Sequence, residues 1–310
     1  MTRQLHLLEK PRLDHVLTLI AGETATPLQA AAVARVRQAL DTLGADTDRP
    51  DWLSPDRACD ILFAGLNPCQ AEAAAQAQLG GGIDAVAQPR ADRRKRLLIS
   101  DMDSTVVTAE TLDELADHAG LKDHIAAITA RAMNGEIDFI QALNERVGLL
   151  RGLSTTAIAA TLARIETTPG AAVLVRTMRA HGAHTVLVSG GFRPFTEQVR
   201  EWCGFDEDRA NDLEIEDGQL TGRLIPPIMD AKGKLAALIA IAGQREIPLS
   251  CALAVGDGAN DLDMIRAAGL GVAFRAKPMV AAQARARIDH ADLTALLYIQ
   301  GYRDEEMVRQ

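Results

Sequence analysis

Asp101-Met102-Asp103-Ser104-Thr105 sets two carboxylates two residues apart, directly after the apolar run 97–100. At the end of a strand that spacing sends both side chains toward one side, because side chains alternate with period two. One carboxylate can then attack phosphorus while the other moves a proton. An acidic turn would share this pattern, so three further segments matter. Val186-Leu187-Val188-Ser189-Gly190-Gly191 ends an apolar run in a hydroxyl and two glycines. Such a turn lets a ligand approach the backbone, and its exposed N–H groups can hold an anion. Asp230-Ala231-Lys232-Gly233-Lys234 opens the amphipathic run 235–241. A lysine at a helix start opposes the macrodipole unless an anion lies nearby, which singles out Lys232 as a phosphate contact. Finally, residues 252–261 form another apolar run that ends in two acids, Asp257 and Asp261, separated by small residues.

The elements that carry these residues read as an α/β unit. Strand candidates at 97–100, 185–189, 253–255 and 270–274 alternate with helical segments, which predicts a parallel sheet covered on both faces. Three of the four end in the motifs above, at the strand ends where open α/β sheets bind ligands. A helical insertion at about 109–165 separates the first two motif strands. Residues 211–224 read as a hairpin around the Asp217-Gly218 turn. Ahead of this unit, residues 12–88 read as strand, helix, strand, strand, helix, strand. That order resembles a small ACT-like α+β domain, assigned here to residues 1–88. Residues 89–96 hold Arg90, Arg93, Arg94, Lys95 and Arg96 and read as a solvated basic linker to a domain at 97–310. Every candidate residue lies after Arg96, so the first 88 residues are expected to be dispensable for folding and turnover of the rest.

The order D-x-D-S-T, S-G-G, lysine, G-D-G-x-N-D resembles the haloacid dehalogenase-like (HAD) phosphatases. Glu110, the stretch from Thr129 to Phe139 that includes Met133, and Glu145-Arg146-Val147 resemble the cap of that superfamily's phosphoserine phosphatases. The likeness covers roughly residues 97–300. It implies a HAD-like doubly wound parallel sheet with a small helical cap inserted after the first motif strand. It also implies Mg²⁺-dependent hydrolysis of O-phosphoserine, the last step of serine biosynthesis. By the same resemblance Asp101 is the nucleophile and Asp103 the proton donor. Asp101, the carbonyl of Asp103, and Asp257 hold Mg²⁺, which suits a hard oxygen donor set. Asp261 anchors metal-bound water or Lys232. Ser189, Gly190 and Lys232 hold the phosphoryl oxygens. Arg146 offers a fork for the substrate carboxylate and Glu110 a charge for its ammonium. Met133 and Phe139 dry the site, and Asn260 contacts it. Two other readings stay open: a related HAD phosphatase or phosphotransferase acting on another small phosphomonoester, and a non-catalytic serine-binding regulator.

A net charge of −9 and 3% aromatic residues argue against a nucleic-acid partner. No run approaches the roughly 20 apolar residues of a membrane helix, and the start lacks the pattern of a secretory signal. Cys59, Cys69, Cys203 and Cys251 show no C-x-x-C spacing and read as reduced thiols. The expectation is a cytoplasmic enzyme, with homodimer formation through the amino-terminal domain left open. His181 and His184 flank a Gly182 turn and read as surface residues.

Overall fold

The computed structural model describes residues 13–22, 26–133 and 136–309 of the 310-residue chain. The amino-terminal part runs β1 (His15–Ala21), α1 (Ala30–Thr42), β2 (Asp46–Thr47), β3 (Asp51–Ser54), β4 (Ala58–Ala64), α2 (Pro68–Gln78) and β5 (Ile83–Pro89). Its strands form an antiparallel sheet in the order β2-β4-β1-β5, with β3 also paired to β4. This arrangement is compatible with an ACT-like domain. Local sequence explains α2: Asn67 and Gln70 form a reciprocal capping box, and Pro68 occupies the first helical turn.

The sheet is buried on both faces, and the period-two alternation of its strands shows against what. Leu17 and Leu19 of β1 share a core with Val33, Val36 and Leu40 of α1. Ile20 of β1, Ala58 of β4 and Val86 of β5 belong instead to the large core of the rest of the molecule, with Leu293, Leu296 and Leu297.

The second part continues with β6 (Leu97–Ser100) and four cap helices: α3 (Thr111–His118), α4 (Lys122–Met133), α5 (Phe139–Leu149) and α6 (Thr156–Leu162). Then come α7 (Ala171–Ala180), β7 (His184–Phe192), α8 (Arg193–Cys203), β8 (Glu207–Glu216), β9 (Gln219–Ile225) and α9 (Ala231–Gln244). The last elements are β10 (Ala252–Gly256), α10 (Leu262–Ala267), β11 (Leu270–Phe274), α11 (Pro278–Ala281), β12 (Ala286–Ile288) and α12 (Ala295–Tyr298). The sheet order is β12-β11-β10-β6-β7-β8-β9, parallel as far as β8 and closed by the antiparallel β8–β9 pair. Asp217 and Gly218 both have positive φ, as a two-residue hairpin turn requires. Leu97, Ile99, Val186 and Val188 face Leu238, Ile241 and Met264 on one side. Leu98 and Leu187 face Met178, Phe195 and Val199 on the other, which makes the sheet doubly wound. No helix among the described residues is long and apolar enough to cross a membrane.

Three expectations are corrected. The basic stretch at 89–96 is docked rather than solvated, because distant acids and carbonyls meet its charges. Arg93 makes a bidentate pair with Asp60 (2.6 and 2.8 Å) and donates to the Ile299 carbonyl. Arg94 pairs with Glu306 and lies over the Tyr302 ring, and buried Lys95 donates to the Ser250 carbonyl. His184 is buried, with Nε2 2.7 Å from Glu207 Oε1. β7 also runs on through the two glycines to Phe192 and passes straight into α8, where a turn was expected; its register with β8 shifts between Val188 and Phe192.

Candidate active site

The carboxyl ends of β6, β7 and β10 converge on one cavity, with the cap helices on its far side. Asp101, Asp103, Gly190, Asp257 and Asn260 line its sheet side, and Glu110, Phe139 and Arg146 line its cap side. The backbone of Asp101 is fixed to β10 by its N–H donating to the Val255 carbonyl. β6 has already ended at Ser100, so loop geometry rather than strand alternation orients Asp101 and Asp103.

The lysine that turns inward toward the carboxylates lies two positions after the one expected. Lys232 is exposed, whereas Lys234 is fully buried, and its Nζ donates to Asp101 Oδ1 (2.5 Å) and Asp261 Oδ1 (2.7 Å). The cause is helical phase. Asp230 caps α9 through the N–H of Gly233, and from that start Lys234 falls in the stripe of Ala237, Leu238 and Ile241. Two residues make about 200° of turn, so Lys232 faces away. The apolar stripe in the sequence already carried this signal. Burial alone would lower the pKa of Lys234, but the charges of Asp101 and Asp261 raise it above the ordinary value.

The carboxylates outnumber that one ammonium. Burial, then the charge of Asp261, pushes Asp101 well above the usual carboxylate range, with Lys234 opposing. Burial, then Glu110, raises Asp103 to about 7, while the Thr111 N–H bond to its Oδ1 (3.1 Å) pulls the other way. Burial, then Asp261, raises Asp257 to about 6. Asp101, Asp257 and Asp261 each bring an oxygen within 4.8 Å of the others. Asp261 is committed elsewhere: Oδ1 holds Lys234 and Oδ2 accepts the Gly258 N–H (3.0 Å). Asp101 and Asp257 can therefore offer oxygens to a divalent cation, and hard carboxylate donors with excess negative charge fit Mg²⁺.

At the anion pole, Ser189 is buried and its Oγ accepts the Gly191 N–H (2.8 Å). A Cβ on Gly191 would lie 3.0 Å from Asp103 Oδ2 and 3.0 Å from Ser189 Oγ, so glycine is needed for the approach. Asn211, a fully buried residue the sequence did not single out, ties this segment to the stretch leading into α9. Its Nδ2 donates to the Gly190 carbonyl (2.8 Å) and its Oδ1 accepts the Met229 N–H (2.6 Å). Its strand β8 is mostly charged, so no apolar pattern in the sequence marks Asn211 as buried. Lys277, also overlooked, lines the cavity and lowers the pKa of Asp257 by its charge.

Under the cap, Phe139, Ala142, Leu143 and Arg146 line the cavity at helical spacing along α5. Glu145 points elsewhere and pairs with Arg131 of α4 (2.6 Å). Arg146 is largely buried and donates Nε to the Ala142 carbonyl; burial lowers its pKa, with Asp113 and Glu110 opposing. Glu110 accepts the Ser104 hydroxyl (2.7 Å). Phe139 comes against Gly190, its Cζ 3.4 Å from where a Cβ would stand. Met133 closes α4, and its side chain lies outside the described residues. The structure thus brings Asp101, Asp103, Asp257, Ser189, Gly190, Asn260, Glu110, Phe139 and Arg146 to one place, and excludes Lys232.

The chain is also similar in sequence and fold to known proteins. Residues 98–266 match the family of haloacid dehalogenase-like hydrolases. A phosphoserine phosphatase of Streptomyces coelicolor is 41% identical over 286 residues, covering 91% of this chain and 70% of that protein. A phosphoserine phosphatase of Mycobacterium tuberculosis is 45% identical over 209 residues, 67% of this chain and 51% of that protein, so the match spans about half of that relative. The solved structure of a probable phosphoserine phosphatase from Vibrio cholerae superimposes with a TM-score of 0.76 at 30% identity, covering 93% of this chain and 86% of that one. The chain belongs to the haloacid dehalogenase-like hydrolases and, within them, to the family of the phosphoserine phosphatases.

Proposed function

We propose that this protein is a Mg²⁺-dependent phosphatase that hydrolyses O-phospho-L-serine to L-serine and phosphate, the serine-yielding step of its biosynthesis. The observation that carries the reading is the pairing of two poles in one cavity: Asp101 bonded to Lys234 at the floor, and Arg146 with Glu110 under the cap. The first suits a phosphoryl group and the second an amino acid's two charges.

Phosphate monoesters hydrolyse so slowly unaided that catalysis must supply about 20 kcal/mol or more. The Asp101 oxygen not bonded to Lys234 attacks phosphorus and forms an aspartyl-phosphate. Lys234 offsets the charge of the phosphoryl group, and Ser189 and the Gly190 backbone hold its oxygens. Asp103, whose pKa burial and then Glu110 raise to about 7, gives its proton to the leaving serine oxygen. It then takes a proton from the water that opens the aspartyl-phosphate. Mg²⁺ held by Asp101, the Asp103 carbonyl and Asp257 would supply positive charge where carboxylate and phosphate repel. Asp261 keeps Lys234 in place. Arg146 grips the substrate carboxylate, Glu110 faces its ammonium, and Phe139 with the cap helices excludes water.

The test is phosphate release from phosphoserine and from a panel of small phosphomonoesters, with Mg²⁺, with EDTA, and with added alcohol acceptors. Phosphoserine should be preferred, EDTA should stop release, and acceptors should divert little of the phosphate. Preference for an ester lacking the amino-acid group, or turnover indifferent to EDTA, would refute the reading.

A further inference from the structure

β7 and β8 are in register where Val188 faces Arg209, and again where Phe192 faces Asn211. Residues 189–191 of β7 therefore stand against Ala210 alone, a bulge at the two glycines. The regular ladder lapses there, and the Asn211 side chain ties down the backbone instead. Asn211 is fully buried, and both ends of its amide are used. Nδ2 donates to the Gly190 carbonyl (2.8 Å) and Oδ1 accepts the Met229 N–H (2.6 Å). A carbonyl only accepts and an N–H only donates, so these two partners need a side chain with one donor and one acceptor. Asparagine is short and neutral and offers both.

The Gly190 carbonyl and the Gly191 N–H belong to one planar trans peptide unit and point opposite ways. Asn211 holds the carbonyl end, and the N–H end donates to Ser189 Oγ (2.8 Å). That bond uses a lone pair of the hydroxyl and not its proton. We infer that Asn211 is a positioning residue for the phosphoryl group: it fixes the Gly190–Gly191 peptide plane and, through that plane, aims the Ser189 hydroxyl. This rests on the phosphatase reading above. The other arm of the amide sets a distance. Met229 directly precedes Asp230, the cap of α9, and α9 carries Lys234. One side chain thus spans the Ser189 segment and the stretch that leads to the lysine.

The experiment measures kcat/KM on phosphoserine and on p-nitrophenyl phosphate, at saturating Mg²⁺, for Asn211→Leu placed in wild type, in Ser189→Ala and in Arg146→Ala. Leucine keeps the branched shape and removes both bonds. Circular dichroism melts set an assay temperature at which every variant is folded. If the leucine variant does not melt cooperatively, Asn211→Ala takes its place. In wild type the change should lose about tenfold or more on both esters, since both carry the phosphoryl group; that is a fraction of the roughly 10²–10³-fold that one aligned donor contributes. With Ser189 already removed the same change should cost less than about threefold. With Arg146 removed the full factor should return, because losses add only for independent sites. An equal factor in all three backgrounds, or no loss in wild type, would overturn the inference and leave the phosphatase reading intact. A wild type that releases no phosphate from either ester would remove that reading, and the role of Asn211 with it.

Discussion

Lys234 and Asp101, 133 positions apart in the chain, meet at 2.5 Å on the floor of the cavity, both shut off from solvent. Such a pair is asymmetric in its energetics: intact, it roughly offsets its own desolvation, but removing one partner strands a buried charge. Lys234→Met should therefore cost about 3–5 kcal/mol of stability and lower kcat/KM on the order of 10²–10³-fold or more. Lys232→Ala, on the exposed side of the same turn, should stay within about 0.5 kcal/mol of wild type. Denaturant unfolding and phosphate release on the two variants check this. A silent Lys234 with a damaging Lys232 would reverse the assignment.

Gly256 stands where a methyl group would come within 2.4 Å of the Asp261 carboxyl carbon. Gly256→Ala should push Asp261 off Lys234 and cost about 1–3 kcal/mol as an overpacking change. Turnover should drop along with the unfolding midpoint. Full activity in that variant would mean that Asp261 is not needed to hold the lysine.

Arg146 lies on the cavity face of α5 while its neighbour Glu145 is paired outward with Arg131. Arg146→Ala should leave the substrate carboxylate half-paired, a loss of about 2–5 kcal/mol, or roughly 30-fold or more in specificity for phosphoserine. An ester without a carboxylate should be hydrolysed almost as before. Steady-state kinetics on both substrates decide it, and matching losses would make Arg146 structural.

Removing residues 1–88 should yield insoluble or loosely folded protein, against the expectation drawn from motif positions alone. The cut would bare Leu293, Leu296 and Leu297, which share a core with Ile20, Ala58 and Val86, and would leave Arg93 without Asp60. Expression of residues 89–310 followed by gel filtration and circular dichroism tests this. A soluble, cooperatively melting fragment with full turnover would show that the shared core is dispensable.

The motifs were legible because each rests on a local pattern: an apolar strand run followed by acids or glycines shows in a few consecutive residues. Lys234 was within reach too, since the stripe of Ala237, Leu238 and Ile241 fixes which lysine turns inward; the macrodipole argument drew the eye to the wrong position. Asn211 and Thr111 were not legible. Their roles depend on Gly190, Met229 and Asp103, partners that only the tertiary fold supplies. The basic stretch misled for the same reason. Charge density alone reads as solvation, and the acids that answer it, Asp60 and Glu306, lie far off in sequence.

The shared core has a consequence for synthesis on the ribosome. Gln88, at the end of the amino-terminal sheet, donates to the carbonyl of Ile299, 211 positions later. At about 5–20 residues per second, the sheet must wait on the order of 10–40 s for the segment that covers it. During that interval α1 and α2 can shield one face, while Ile20, Ala58 and Val86 stay bare on the other. Nascent chains stalled before residue 291 should therefore bind hydrophobic dyes and chaperones through this face, and release them once residues 291–302 emerge.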